Sequence, residues 1–541
     1  MQATGSSSTD HPFFCQAPMS RTNTINAATL HHWREAKQPM ALFDVREPME
    51  ADRGHIPGAT VLPRRRIELR IATLVRDPDT AIVVTDDDTG RATLAAETLA
   101  TLGYRKVHWL CGGIEAWRAA GYPIATGNNV PSKLYGEVAY HHYAIPDVDA
   151  DSFRQWQDEG RNILLFDVRT PEEYREACIP GSTSGPSFDI ARHAGDLRHH
   201  DGPVVVHCAG RTRSLIAAQT LRELGVTQAV ALRNGTMGWL LAGKEVERGA
   251  RRTLGTPSAT SLAHASATSR AMAEAAGIAS VDAATLAAWL EDAGNLYVFD
   301  VRQRDDHIAG HVPGAQWVPG GQIVQRADDF IAVRTARIVL IDDDETRARL
   351  SAVWLQRMGF TQVGVLAGGM AAWRDAGHAV ATGRARQQPA GWEAARNAVR
   401  CITPVEAHEL IRQSGRLHIL DVDTSAHYCE GHIDGATWLP RSWLEHLVAQ
   451  VIPDPSMPVL VTCGSGIHAV YAAHTLQQLG YSTVAALEGG TAAWKHAGYT
   501  LETATMPPQD DILLPPYKRG EQAMRDYLSW EIELAATHPH H

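Results

Sequence analysis

The sequence predicts four successive α/β domains, each built on a parallel sheet covered by helices on both faces. Three observations carry this reading. The first is an internal repeat: Phe43-Asp44-Val45-Arg46 recurs as Phe166-Asp167-Val168-Arg169 and Phe299-Asp300-Val301-Arg302, with a weaker copy in Leu420-Asp421-Val422-Asp423. A glycine stands 14 residues after each aspartate (Gly58, Gly181, Gly314, Gly435). The period of about 121–134 residues is far too long for a solenoid repeat and long enough for a unit to bury its own core. The second is the alternation of fully apolar runs with amphipathic helical stretches, the pattern of strands buried on both faces of a parallel sheet. The third is length: 541 residues, at roughly 100–200 per domain, leave room for several domains.

Taken in order, each unit opens on Ile25, Val148, Val281 or Ile402, followed by a helix-capping residue: Asn26, Asp149, Asp282 or Thr403. A helix leads to the strand ending in Asp-Val-Arg. Three units then carry a Gly-His turn, as in Gly54-His55-Ile56-Pro57-Gly58-Ala59, whereas the second has Cys178 at the histidine position. An apolar strand follows at residues 81–84, 204–206, 338–341 and 459–461, and then a helix such as 95–102. A short strand precedes a Gly-Gly or Asn-Gly pair (Gly112-Gly113, Asn234-Gly235, Gly368-Gly369, Gly489-Gly490) that leads a helix holding Trp117, Trp239, Trp373 or Trp494. The units span 23–126, 140–247, 279–383 and 401–504. Residues 250–276, rich in Ser, Thr and Ala without apolar periodicity, read as a flexible linker between two halves. A tail, 505–541, carries Pro515-Pro516 and a helical stretch over 521–535 that should pack back on a domain.

Composition narrows the class. With 44% hydrophobic and 21% charged residues the chain has a globular balance. A net charge of −11 and pI of about 6.2 argue against nucleic-acid or polybasic membrane binding. No run of 18 apolar residues occurs, so a spanning helix is excluded, and the polar start is no secretory signal. Seven scattered cysteines without a C-x-x-C pair fit neither a disulfide scaffold nor a zinc ribbon, and no metal or cofactor is expected. The expectation is a cytoplasmic protein of a reducing compartment.

In an open α/β sheet, sites form beyond the carboxyl ends of the strands. After the apolar strand the second unit reads Cys208-Ala209-Gly210-Arg211-Thr212-Arg213, and the fourth reads Cys463-Gly464-Ser465-Gly466-Ile467-His468. Each cysteine stands 31 residues before its tryptophan, a register that places Asp86 and Asp342 at the same point in the other two units. A short strand-to-helix turn directs successive N–H groups inward, and the helix adds its positive end. A thiolate there is stabilised, and Arg211 and Arg213 should strengthen this and attract an anion. A lone cysteine is more often a buried structural residue, but two at one register favour nucleophiles. Asp86 and Asp342 should fill their loops with their own charge and repel anions together with Asp87, Asp88, Asp343 and Asp344. These units should therefore be structural, each packed on its active chain neighbour. Cys178 and Cys429, beside the turn, receive structural readings, Cys15 falls in a start read as disordered, Cys111 ends a different strand and does not replace the loop cysteine, and the turn histidines His55, His311 and His432 receive hydrogen-bonding ones. The acidic clusters lack further ligands at metal spacing.

These motifs together resemble the rhodanese, or sulfurtransferase, family over residues 23–504. The resemblance implies doubly wound domains with a five-stranded parallel core. It also implies a cysteine that cycles through a persulfide, taking sulfur from a donor such as thiosulfate and passing it to cyanide, a thiol or a protein thiol. The 208–213 loop resembles that of thiosulfate-type members and the 463–466 loop that of mercaptopyruvate sulfurtransferases. The catalytic candidates are Cys208 and Cys463, with Ala209 to Arg213 and Gly464 to His468 binding substrate. Asp423 in place of the strand-end arginine, Asp434 in place of a turn proline and His468 in place of a permanent cation depart from the pattern. A carrier or scaffold role is the alternative from another class. A cysteine phosphatase fits less well, because its related loop is one residue longer than Cys208–Arg213.

Overall fold

The computed structural model describes residues 23–384, 388–507 and 509–537; Cys15, the polar start and the last four residues lie outside the described residues. Four five-stranded sheets occur, one per repeat. In each, the strands lie in the spatial order first, fifth, fourth, second, third, and neighbours pair in parallel. In the second unit these strands are Asp147–Val148, Leu164–Asp167, Thr183–Ser184, Val204–His207 and Ala229–Leu232. This is the doubly wound arrangement that the continuous apolar runs predict.

The repeated residues have repeated jobs. Asn26, Asp149, Asp282 and Thr403 each cap the first helix of a unit through a side-chain oxygen that accepts a backbone N–H. Each Asp-Val-Arg segment folds its arginine back on its own aspartate: Arg46 to Asp44 and Arg169 to Asp167 at 2.6 Å, Arg302 to Asp300 at 2.7 Å. The same guanidinium donates to the carbonyl of the turn, at Gly54, Ala177 or Gly310. The fork therefore staples the strand end to the Gly-His turn. Each helix tryptophan donates its indole N–H to a carbonyl six residues on, at 2.7–2.9 Å. No described helix is long and apolar enough to cross a membrane.

The units do not simply pack on their chain neighbours. Units two and three face one another. Trp354 donates to Thr220 at 2.8 Å, Arg347 reaches Asp189 at 2.9 Å, and Arg192 reaches Asp344 at 2.7 Å. A Cβ added at Gly321 would lie 1.7 Å from the Ser187 hydroxyl, so the backbones approach as closely as glycine permits. Units one and four form the other pair. Arg441 forks onto Glu68, Arg64 meets Glu445 at 2.9 Å, and Arg91 lies 3.9 Å over the Trp443 ring. One buried apolar cluster runs through units one, two and three, while the corresponding face of unit four has its own.

The presumed linker is in fact largely a helix, Ala259–Ala275, packed on the Thr346–Arg357 helix of unit three and on Ala194–Leu197 of unit two. Its buried residues are Ser261, Ala265, Ser269 and Ala273. They recur every fourth residue, a stripe of small side chains rather than large apolar ones, which is why periodicity of bulk missed it. The closeness is steric: a Cβ at Gly195 would stand 2.6 Å from the Ser261 Cα. The tail forms a helix, Glu521–Thr537, against the Val130–His142 connector helix and the Gly235–Leu241 helix of unit two.

The Arg441–Glu68 pair tests the crossed packing. Arg441→Met removes one partner of a buried pair and should lower stability by about 3–5 kcal/mol in urea unfolding. A loss below about 1 kcal/mol, the size of an exposed pair, would contradict this contact.

Candidate functional site

The cysteine loops are held from below by the glycine pairs. A Cβ at Gly235, where φ is +51°, would lie 2.2 Å from the Cys208 carbonyl oxygen; the equivalent at Gly490, with φ +62°, would lie 2.0 Å from that of Cys463. Gly113 and Gly369 stand in the same relation to Asp86 and Asp342, each at 2.4 Å. Only glycine fits there, and the N–H of Thr236 or Thr491 then donates to the cysteine carbonyl at 2.8 or 2.9 Å. The loop is thus pinned by a segment 27 residues later in the chain.

Inside the loops, a residue five or six places on addresses the head group. The Ala469 N–H donates to Cys463 Sγ at 3.4 Å, and Ser214 Oγ lies 3.4 Å from Cys208 Sγ. In unit one the Ala92 N–H donates to Asp86 at 2.9 Å, with the Asp88 N–H on the other oxygen at 2.9 Å. In unit three the Arg347 N–H donates to Asp342 at 2.8 Å, joined by that residue's guanidinium. The two carboxylates therefore occupy the cradle as an anion would. Their acidic neighbours are less free to repel than the sequence suggested: Asp87 pairs with Arg91, Asp343 with Arg302 and Asp344 with Arg192.

Cys208 is 3% exposed and opens on a cavity of about 850 Å³. Its walls come from all over the chain: Arg66 of unit one, Lys133 of the connector helix, Arg304 and Arg326 of unit three, and Tyr527 and Glu531 of the C-terminal helix. Ala209, Gly210, Arg211, Thr212 and Arg213 line it too. Arg213 is forked onto Glu173 at 2.7 and 2.8 Å, and Arg211 onto Glu137 at 2.6 and 2.8 Å. Although burial opposes it, the Arg213 guanidinium brings the Glu173 carboxyl down to about 2. The two arginines thus stand beside the loop as held, paired cations rather than open anion hooks. Burial pulls the Lys133 ammonium down to about 8, where its Nζ lies 4.9 Å from the Tyr527 ring centroid and 5.0 Å from that of Trp530.

Unit four is built differently. Asp423 replaces the stapling arginine and reaches into the loop, where its carboxylate accepts the Gly464 N–H at 2.6 Å. Burial, with Asp423 adding its charge, pushes the Cys463 thiol up to about 12. Burial, reinforced by Arg441, takes His468 down to about 4, so it is neutral near pH 7 and is not the cation that its loop position suggested. Asp421, buried and without an arginine, is raised to about 7. Gly464, Ser465 and His468 line a separate cavity of about 450 Å³ with Asp423 and His427. Gly466 takes the positive φ of +81° that ends the loop, and the Ile467 N–H donates to Ser465 Oγ at 3.4 Å.

Of the other described cysteines, Cys178 is buried, Cys111 exposed, and Cys401 and Cys429 half-buried. The histidines of the turns each bond through Nδ1 to the carbonyl four residues back, at 2.8–3.0 Å. Sequence reasoning missed Glu137, Glu173, Lys133, Tyr527 and Glu531. Glu173 carried a local signal, since Thr170 and Glu173 form a capping box. The others come from segments whose distance from the loop only the fold removes.

Comparison with known proteins follows the same lines. The family model of the rhodanese-like domain matches residues 26–120, 149–242, 282–376 and 403–497. The crystal structure of a thiosulfate sulfurtransferase from Pseudomonas aeruginosa superposes with a TM-score of 0.88 at 34% identity, covering 96% of this chain and 98% of that one. A thiosulfate sulfurtransferase of Azotobacter vinelandii is 27% identical over 226 residues, 34% of this chain and 82% of its own. A sulfurtransferase of Allochromatium vinosum is 33% identical over 95 residues, 18% of this chain and 88% of its own.

Two outcomes follow for unit four. Asp423→Arg restores the fork and removes the charge beside Cys463; alkylation of Cys463 by iodoacetamide at pH 8, followed by peptide mass spectrometry, should accelerate by at least about tenfold, the effect of one pKa unit. An unchanged rate would contradict the electrostatic account. For Asp421, the folded state binds the proton more tightly than the unfolded chain, whose ordinary value is 3.8. Its contribution is therefore complete below about 4 and is lost as pH rises through about 7. Asp421→Asn should flatten that part of the stability profile in urea unfolding measured across this range.

Proposed function

The chain belongs to the rhodanese-like family, and on that premise we propose that it carries sulfane sulfur from thiosulfate on Cys208 as a persulfide and hands it to a thiophilic acceptor. The chain is a rhodanese-type sulfurtransferase; the carrier residue, the donor and the acceptor are the proposal. The observation that supports Cys208 most is the contrast between the two cysteine loops. Both cysteines head a strand-to-helix loop, but Cys208 interacts electrostatically with the Arg213 guanidinium, whereas in the Cys463 loop the Asp423 carboxylate accepts the Gly464 N–H.

The step needs no cofactor. The Cys208 thiolate attacks the outer sulfur of thiosulfate, the S–S bond of the donor breaks, and sulfite leaves with the electron pair. The cradle N–H groups hold the charge on the resulting persulfide. An acceptor nucleophile then attacks the outer sulfur, and Cys208 leaves as the thiolate the cradle stabilises. Cyanide is a small acceptor of this kind; thiols and protein thiols are others. In this reading Ala209, Gly210 and Thr212 supply the loop backbone, while Arg211 and Arg213 fix its shape through Glu137 and Glu173.

Cys463 serves as a weaker second site in this reading. Gly464, Ser465 and Gly466 allow close backbone approach, and a monoanion such as 3-mercaptopyruvate suits a loop without a permanent cation better than thiosulfate does. A structural or scaffold role without turnover is favoured for units one and three, whose cradles are already filled by Asp86 and Asp342.

Cys208→Ser should remove most of the thiosulfate:cyanide activity, read as thiocyanate production, and Cys463→Ser should leave most of it. The reverse pattern would overturn the ranking. Asp86→Ala should change thiocyanate production by less than about twofold, because that carboxylate binds only its own loop.

A further inference from the structure

The C-terminal helix places a carboxylate at the Cys208 loop from the far end of the chain. Glu531 Oε1 accepts the Thr212 hydroxyl at 2.7 Å. Its Oε2 is buried and has no hydrogen-bond partner, and it would lie 3.3 Å from a Cβ built on Gly210. The residue is 1% exposed and lines the Cys208 cavity. One turn earlier Tyr527 stays a phenol: burial, then the nearby charges of Glu531 and Cys208, raise it well above its ordinary value. A buried carboxylate oxygen without a donor costs free energy unless its function requires it.

We propose that Glu531 selects neutral thiols as sulfur acceptors at Cys208, acting as the base that takes their proton and disfavouring anionic acceptors. This rests on the persulfide reading above. An incoming R–SH gives its proton to Glu531. The sulfur electron pair forms an S–S bond to the outer sulfur of the persulfide, and the bond from that sulfur to Cys208 breaks. The pair stays on Cys208 as thiolate in the cradle, the acceptor departs as R–S–S⁻, and the proton on Glu531 passes to solvent. Atoms and electrons balance without an oxidant or reductant. Sulfite at pH 8 arrives already charged, needs no base, and meets the carboxylate as a repulsive neighbour.

The groups around Glu531 fit the assignment. From the connector helix come Lys133, for which Glu531 is the foremost nearby charge, and Glu137. From the loop come Arg211, occupied by Glu137, and Arg213, occupied by Glu173. From its own helix comes Tyr527. Both arginines are already paired with carboxylates; Glu531 Oε2, like Arg213 Nε, is buried without a hydrogen-bond partner, with Tyr527 beside the carboxylate.

The test uses the full-length protein loaded with thiosulfate, freed of excess donor, and unloaded at pH 8 by either dithiothreitol, mostly a neutral thiol there, or sulfite, already an anion. Sulfur loading of Cys208 is first read as a mass increase of one sulfur atom on its peptide. If neither wild type nor variant loads, the persulfide reading fails, and this proposal with it. With loading intact, E531Q should lower the second-order rate of unloading by dithiothreitol at least about tenfold at pH 8 and leave that by sulfite equal or higher. The variant's thiol branch should then rise with pH along the ionisation of dithiothreitol, while that of the wild type rises less steeply. Equal losses with both acceptors, or an unchanged thiol branch, would overturn the proposal. Should E531Q alone fail to load, E531D decides: it keeps the charge one methylene further back, so the thiol branch should fall while the sulfite branch holds. Equal changes in E531D would overturn it as well.

Discussion

A loop whose N–H groups converge needs a negative or polarisable group at its head, and much of this molecule follows from how four copies meet that demand. Units one and three meet it with their own carboxylates, Asp86 and Asp342. Unit two offers Cys208, with arginines held close by Glu137 and Glu173. Unit four offers Cys463 but turns Asp423 into the same loop, and the thiol is held in its protonated form. The glycine that pins each loop head from below is constant across the four. The chemistry changes with one or two side chains, because a cradle of N–H groups is indifferent to which anion fills it.

The crossed packing gives the Cys208 cradle its surroundings. Units two and three interlock through Trp354, Arg347 and the glycines at 320 and 321, and units one and four through Arg441 and Glu68. The connector and C-terminal helices fill the space between. As a result the cavity over Cys208 takes walls from three units and the tail. Gly464, Ser465 and His468 of the Cys463 loop line a smaller cavity walled by unit four alone. The difference between the two sites is therefore as much one of enclosure as of charge.

The repeat made much of the fold legible. The capping residues, the Asp-Arg forks, the Gly-Gly pairs and the indole anchors all act within one unit, so their spacing is the same four times and each carries a local physical reason. The site was legible as far as its loops. The cysteines sit at the strand-to-helix turn because Gly235 and Gly490 leave room for it. What lay beyond reach has a common cause. Ala259–Ala275 buries Ser and Ala rather than Leu, so no hydrophobic period announces it. Glu137 lies 74 residues from Arg211, and Glu531 lies 319 from Thr212, separations at which no sequence period relates partner to loop. His468 looked like a cation from its position, but burial decides its charge.

The account rests on Cys208 and Cys463 differing because of their neighbours rather than their loops. Incubating the intact protein with thiosulfate without an acceptor, then mapping bound sulfur on both cysteine peptides by mass spectrometry, tests this most directly. The account predicts one added sulfur atom on the Cys208 peptide and little on the Cys463 peptide. Sulfur found mainly on Cys463, with Cys208 unmodified, would contradict it.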